Sequence, residues 1–509
     1  MVIKHSLAPL SFAMGGAAGS YYGAGLLAGA KLPWAVPAIL TGLLLSAALG
    51  ALQSLKTINA ALSGGFAGAT PGERRIRRAE LYLLFLAGGL ALGFSARIAA
   101  GEPLRLGLPQ GEISALSGTL KEDPRLSSGA TDRGMGRLAL NHAFAASGAK
   151  TTARGTLQVF FPGESLPRLR SFGRGAELYI EGKLLPPKEE GMPPVFSARA
   201  VHITRAAGPL ERFRTGLRLS LVSLYGGKWG GLAQALLLGV RDNLDADLAR
   251  AYRNAGLSHI LALSGMHLGI IAAILAFLLK KPLGLKASAA FSSLCIILYV
   301  YLAAAQPSLA RSAVMYLLGS FCVLRSLPRR LPFILGLSFI IQIILWPASG
   351  DTVSFMLSYL ALAGILFLGE PLRLLLRGKV PDILALPLSA SLGAFIFSMG
   401  ITAFHFGLIQ PVGILAGLVV SPLSTVFMAA AMAAPVLSLI PPLASIADGA
   451  LGGLYRVIQY LVETAGAAPP LKAPWPFALA ASLALTALVI LLRERLIRPG
   501  ERLAPFAAP

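Results

Sequence analysis

The chain has 509 residues, of which 55% are hydrophobic and only 13% charged, yet its formal net charge is +22. A soluble domain carries about 25% charged residues, so this composition excludes a soluble enzyme of ordinary surface chemistry and equally a disordered chain. An apolar chain this basic fits many membrane spans with cations confined to particular loops.

In chain order, apolar runs near 7–30, 34–55 and 80–100 predict an N-terminal transmembrane unit over 1–100, since a bilayer core takes roughly 20 apolar residues per helix. Residues 101–207 break the pattern. Short alternating stretches, among them "EISALSGTLKEDPR", "GRLALNHAFAA" and "GAELYIEGKLLPP", read as strands between Gly/Pro turns. Five or six such strands predict a small all-β, OB-like barrel domain. In it Arg154, Phe160, Phe161, Arg168, Arg170 and Arg174 are candidates for DNA binding through base stacking and phosphate contacts. The competing reading puts a phenylalanine in the core and the arginines in solvent.

Residues 208–256 read as amphipathic, interfacial helices: "ERFRTGLRLSLVSLYGG" first, then two short helices, the second with Asn243 as its cap and Asp245 and Asp247 in its first turn. Nine further spans follow over 257–492, at 257–279, 287–305, 308–325, 332–347, 351–369, 383–402, 411–440, 445–465 and 474–492, ahead of a basic tail at 493–509. The expected architecture is a polytopic α-helical membrane protein of about twelve spans with an inserted β-domain. Nineteen Lys and Arg fall in one alternate set of loops and ends, against Lys31, Arg97 and Lys472 in the other. Positive loops stay inside, which predicts a multi-pass protein of the cytoplasmic (inner) membrane, both termini cytoplasmic and the β-domain outside. The basic clusters are accounted for by topology and lipid contact.

Several polar residues lie at membrane depth, where such groups face a bundle interior or a wet path. His259, Ser264 and His267 interrupt an apolar run, and Gly265 and Gly269 form a GxxxG pair suited to close helix approach or a local break. Arg311 needs a partner: Asp351, backbone carbonyls or a passing phosphate. Arg241 and Asp242 either line the outer mouth or pair with each other, and His405 and Gln410 flank "FHFGLIQP". These ten residues are the candidate channel lining; packing is the alternative role for each. Ser264 and His267 also have the i,i+3 spacing of a nucleophile and base, but no G-x-S-x-G elbow, H-E-x-x-H site or P-loop is present, and no catalytic residue, metal site or cofactor is expected. Cys295 and Cys322 sit in apolar runs without metal-ligand spacing.

The run "ALLLGVRDNLDADLARAYRNAGLSHILALSGMHLG" at 235–269 resembles the core motif of the ComEC competence-protein family. "SLARSAVMYLLG", "VSFMLSYLALAGILFL" and "FIFSMGITAFHFGLIQPVGILAGLVVSPLSTVFM" resemble further segments of that family, whose OB-like domain falls where 101–207 lies. The resemblance implies a channel passing single-stranded DNA into the cytoplasm during natural transformation, in contact with membrane lipid. A cytoplasmic motor ATPase and a periplasmic DNA receptor would be its partners. Many members carry a C-terminal metallo-β-lactamase-like nuclease domain; its H-x-H-x-D-H motif is absent from these residues, so the resemblance implies the form lacking it, with a separate nuclease. The alternatives are a secondary transporter for a small solute, which should show inverted repeats, and a membrane-embedded hydrolase.

Overall fold

The computed structural model describes residues 104–496 apart from 128–129, 187–193 and 304–306. The three spans expected before residue 101 and the tail beyond 496 lie outside the described residues.

The β-domain is a closed barrel. Strand β1 (Ile113–Leu120) pairs antiparallel with β3 (Ala130–Ala145) and β6 (Glu177–Leu185). β3 continues antiparallel to β5 (Thr156–Pro162), β5 pairs in parallel with β7 (Val195–Arg205), and β7 returns antiparallel to β6. Short β2 (Arg125–Ser127) and β4 (Lys150–Thr152) extend β3, and helix α1 (Leu166–Phe172) bridges β5 and β6. Period-2 alternation builds the interior: along β5, Leu157, Val159 and Phe161 turn inward to meet Leu116, Leu138, Ile180 and Phe196.

Helix α2 (Pro209–Ser223) carries its polarity the wrong way round for a soluble helix. Phe213 and Leu210 are more than 60% exposed, whereas Arg214 is fully buried. The buried side is the joint to the barrel. Arg214 donates from Nη2 to Asp123 Oδ2 at 2.8 Å and from Nε to the Tyr301 carbonyl at 2.8 Å. Arg218 pairs with the same carboxylate, and Arg174 forks onto Glu211 with two 2.8 Å bonds. Nearby, Asp242 forms an ion pair with Arg170 and accepts from the Leu126 N–H. Gly173, at φ +68°, lets the barrel approach α2: a Cβ there would lie 2.1 Å from Thr215 Oγ1.

Helices α3 (Gly227–Leu238), α4 (Ala246–Asn254) and α5 (Ser258–Leu261) lead into the bundle. Asp245, rather than the expected Asn243, caps α4 by accepting from Asp247 N–H; Asn243 instead donates to Gln234. Six helices among the described residues are long and apolar enough to cross a membrane: α6 (Gly265–Leu302), α7 (Pro307–Leu324), α9 (Val353–Leu376), α10 (Asp382–Phe406), α11 (Val412–Leu437) and α13 (Trp475–Leu496). α6 would rise about 57 Å if straight, against a hydrocarbon core of about 30 Å. It breaks at Pro282 and Gly284 (φ 76°), and Leu268 and Ile271 share a core with Ile296. A straight helix would hold Leu268 and Ile296 about 40 Å apart, so α6 doubles back into two legs, matching the two runs 257–279 and 287–305.

Two expected spans fall short of that standard. α8 (Leu331–Leu345) is apolar but only 15 residues long, and α12 (Pro441–Gly466) carries Asp448, Arg456 and Glu463. A two-stranded sheet of β8 (Leu408–Ile409) and β9 (Leu471–Lys472) ties the loop after α10 to the one before α13. α9 and α10 meet backbone to backbone at Gly364 and Gly393, where a Cβ on Gly364 would lie 2.1 Å from the Gly393 carbonyl.

A candidate conduit between the helices

A cavity of about 1660 Å³ lies between the helices of the bundle. Its shape is legible in the lining. On α6 it touches Gly265, Gly269, Ala272, Ala276 and Lys280, and on α7 Ser308, Ser312, Met315, Gly319 and Val323. Each set is one helical stripe, and fifteen residues of rise give a length of about 22 Å. One end carries Arg241, Arg253 and Gln410; the other carries Lys280 and Arg329. Between them the wall is mostly apolar, with large side chains such as Leu268, Met315, Leu357 and Phe395 among Gly, Ala and a dozen serines, and it holds no Asp or Glu among the described residues.

Helix direction adds to this charge. Gly265, Ser308, Ser354 and Gly413 line the cavity, and each lies within two residues of the start of α6, α7, α9 or α11. Four helix N-termini, each the positive end of a macrodipole, thus open onto the end opposite Lys280.

The expected lining residues separate into three groups. Arg241, His259, Ser264, Gly265, Gly269, Arg311 and Gln410 touch the cavity. Arg241 is held there by a 2.9 Å bond from Nη2 to the Leu261 carbonyl. Burial, and then the charge of Arg125, push its guanidinium pKa down. Gly269 has open space where its Cβ would point, so it faces the cavity and is not a helix-packing contact. Gly256, at φ +72°, is needed where the chain passes Gln410, whose Cβ lies 2.9 Å from the position a Cβ would take.

His267 does not touch the cavity. Its side chain is fully buried, and Nδ1 accepts from the Ser264 N–H (3.2 Å) and lies 3.0 Å from Ser264 Oγ. The pair is a capping box for α6, which accounts for the i,i+3 spacing without a nucleophile. His405 packs between Phe404 and Phe406 outside the lining. Asp242 belongs to the barrel joint and pairs with Arg170, not with Arg241.

The barrel residues also divide. Phe161 is 1% exposed in the core, which removes it from any stacking face. Arg170 and Arg174 are engaged in the joint. Phe160 is half-buried on the sheet, Arg168 is exposed on α1, and Arg154 is exposed beside its bridge to Arg105. A different aromatic row was missed. Phe144 stands edge-on to Tyr179 at 5.2 Å, His142 and His202 flank them, and Lys150 lies over the Phe144 ring. Its signal was the i,i+2 spacing in "NHAF", which puts His142 and Phe144 on one face of β3.

The fold and cavity define a multi-pass membrane protein with a cavity between its helices that is lined by basic residues and, among the described residues, by no carboxylate. A family model described as Competence protein matches residues 236–496, just over half of the chain. The chain belongs to the competence protein family, the ComEC group that the motif at 235–269 resembles. It is similar to ComE operon protein 3 of Bacillus subtilis (strain 168), with 32% identity over 181 residues, covering 35% of this chain and 22% of that relative's length. No solved structure matches. Among the described residues no cluster of three metal-ligating side chains occurs.

Proposed function

We propose that the chain forms the membrane conduit through which single-stranded DNA enters the cytoplasm during natural transformation. The observation that carries this reading is the lining: arginines at both ends with one lysine, helix N-termini at one end, a dozen serines among the apolar side chains between, and no carboxylate among the described residues. A polyanion needs a hydrated and positively biased path. Proton-coupled transport of a small solute would favour carboxylates at membrane depth, and the lining has none among the described residues.

The end with Lys280 and Arg329 is assigned to the cytoplasm by the positive-inside rule, which places the barrel outside an inner membrane with both termini inside. The barrel is read as OB-like: strand order, the one parallel pairing and the helix between β5 and β6 support it. Its row of His142, Phe144, Tyr179 and His202, with Lys150, suits base stacking along an incoming strand. A cytoplasmic motor ATPase would pull the strand, a periplasmic receptor would deliver it, and a separate nuclease would degrade its complement.

Gly269 gives the test, because open space faces it. Gly269→Asp places one negative charge in the conduit, and Gly269→Asn is its neutral match. In cells with this chain as the sole copy, the Asp variant should lose crosslinking to labelled incoming strand and transformation, while the Asn variant keeps both. Equal behaviour of two membrane-inserted variants would overturn the reading.

A further inference from the structure

We propose that Arg311 and the N-terminus of α6 form an anion subsite in the conduit wall that takes one phosphate group at a time. The inference rests on the conduit reading and gives it a discrete binding step.

Arg311 is 7% exposed and lines the cavity. Its Nη2 donates to Ser312 Oγ at 3.2 Å, and the Tyr359 ring lies 5.8 Å from the guanidinium carbon. Nε and Nη1 are buried without an acceptor, and no carboxylate among the described residues pairs with this arginine. A buried charge with open donors is costly unless something completes it.

What stands beside it is more positive charge. A Cβ on Gly265, the first residue of α6, would lie 3.3 Å from Arg311 Nη2 and 2.8 Å from Ser312 Oγ. The helix leaves four orphan N–H donors at this end. The Ser264–His267 capping box uses those of Ser264 and His267, leaving Gly265 and Met266 without an intrahelical acceptor. α7 begins at Pro307, one turn before Arg311, and Ser308 Oγ ties it to the Leu263 carbonyl at 2.7 Å. A guanidinium and two positive helix ends therefore converge with no carboxylate between them among the described residues. An anion cancels all three fields, and the several directed donors suit an oxyanion with several acceptor oxygens better than a halide. The shared chemistry is a phosphate oxygen, supplied either by free phosphate or by a phosphodiester.

The test is the melting temperature of the full chain in detergent as inorganic phosphate replaces chloride at constant ionic strength. Wild type should show a saturable rise. Arg311→Met should melt no lower than wild type in chloride and show no response to phosphate, whereas a purely structural arginine would give a lower melting temperature and an unchanged response. Arg311→Lys keeps the charge but loses the fork, so its half-saturating phosphate concentration should rise about tenfold; this variant decides the matter if the methionine variant does not fold. No phosphate effect in wild type, or the same effect in the variants, overturns the proposal. A short single-stranded oligonucleotide in the same titration separates the two sources. Competition with phosphate supports a phosphodiester occupant; a phosphate response without competition keeps the subsite and overturns the strand-conduit reading.

Discussion

Arg214 and Arg311 are both buried arginines next to the ends of α6, and the protein treats them in opposite ways. Arg214 is surrounded by acceptors: both oxygens of Asp123, the Tyr301 and Leu302 carbonyls, and Glu211 within 3.7 Å. Arg311 has one hydroxyl and the face of a ring. The first is a structural joint that locks the barrel to the bundle, since its partners come from both. The second lines the cavity with two buried nitrogens that have no acceptor. A buried charge completed by its own chain holds a structure together, and one left incomplete is available to a ligand.

The largest test of this contrast is Asp123→Ala. It strands Arg214 in the joint, so breaking the pair should cost about 3–5 kcal/mol and release the barrel, read as faster limited proteolysis between residues 120 and 210. Arg311→Met should move the other way, gaining about 1–3 kcal/mol in phosphate-free buffer because unsatisfied donors are removed; thermal unfolding of the purified chain reads the sign. Equal destabilisation by both would erase the distinction between the two arginines.

Ser264→Ala sharpens the comparison at the same helix end. Loss of an N-cap costs about 1 kcal/mol, and uptake should fall only as far as stability does. Complete loss of activity in a stable variant would revive the nucleophile reading. The smallest effect concerns pH. Burial raises the Asp123 carboxyl pKa, but the Arg214 hydrogen bond and the charges of Arg218 and Arg214 outweigh it and hold the pKa below its ordinary value. A depressed carboxylate pKa contributes stability above the unfolded value of about 3.9 and loses it as pH falls through the folded value. Proteolysis of the joint should therefore be unchanged from pH 7 to 5 and accelerate only at lower pH.

Much of the barrel and the bundle was legible because both rest on periodicity. Alternation in "TLQVFF" marks β5, and the apolar runs at 383–402 and 474–492 mark α10 and α13. The same periodicity misled where chemistry was inferred from neighbours. Phe160 and Phe161 looked like a pair, yet adjacent strand residues point to opposite faces, so only one of them can face outward. Asn243 was the expected cap and Asp245 a first-turn residue, yet Asp245 caps α4 while Asn243 donates to Gln234, nine residues back on α3. Arg170 and Arg174 read as solvated or phosphate-binding because Asp242 and Glu211, 72 and 37 residues away, give no local sign of being their partners.

The sequence by itself determined the membrane class, the inserted β-domain and the segment with the strongest family resemblance, since burial in lipid and strand alternation are local signals. It named ten candidate lining residues, of which seven touch the cavity and His267, His405 and Asp242 do not. The tertiary structure alone decided which of two buried arginines is complete, that α6 folds back on itself, and that four helix N-termini and, among the described residues, no carboxylate face one cavity. Those facts depend on which side chains from distant segments come together, and a one-dimensional pattern fixes the face a residue lies on but not what packs against it.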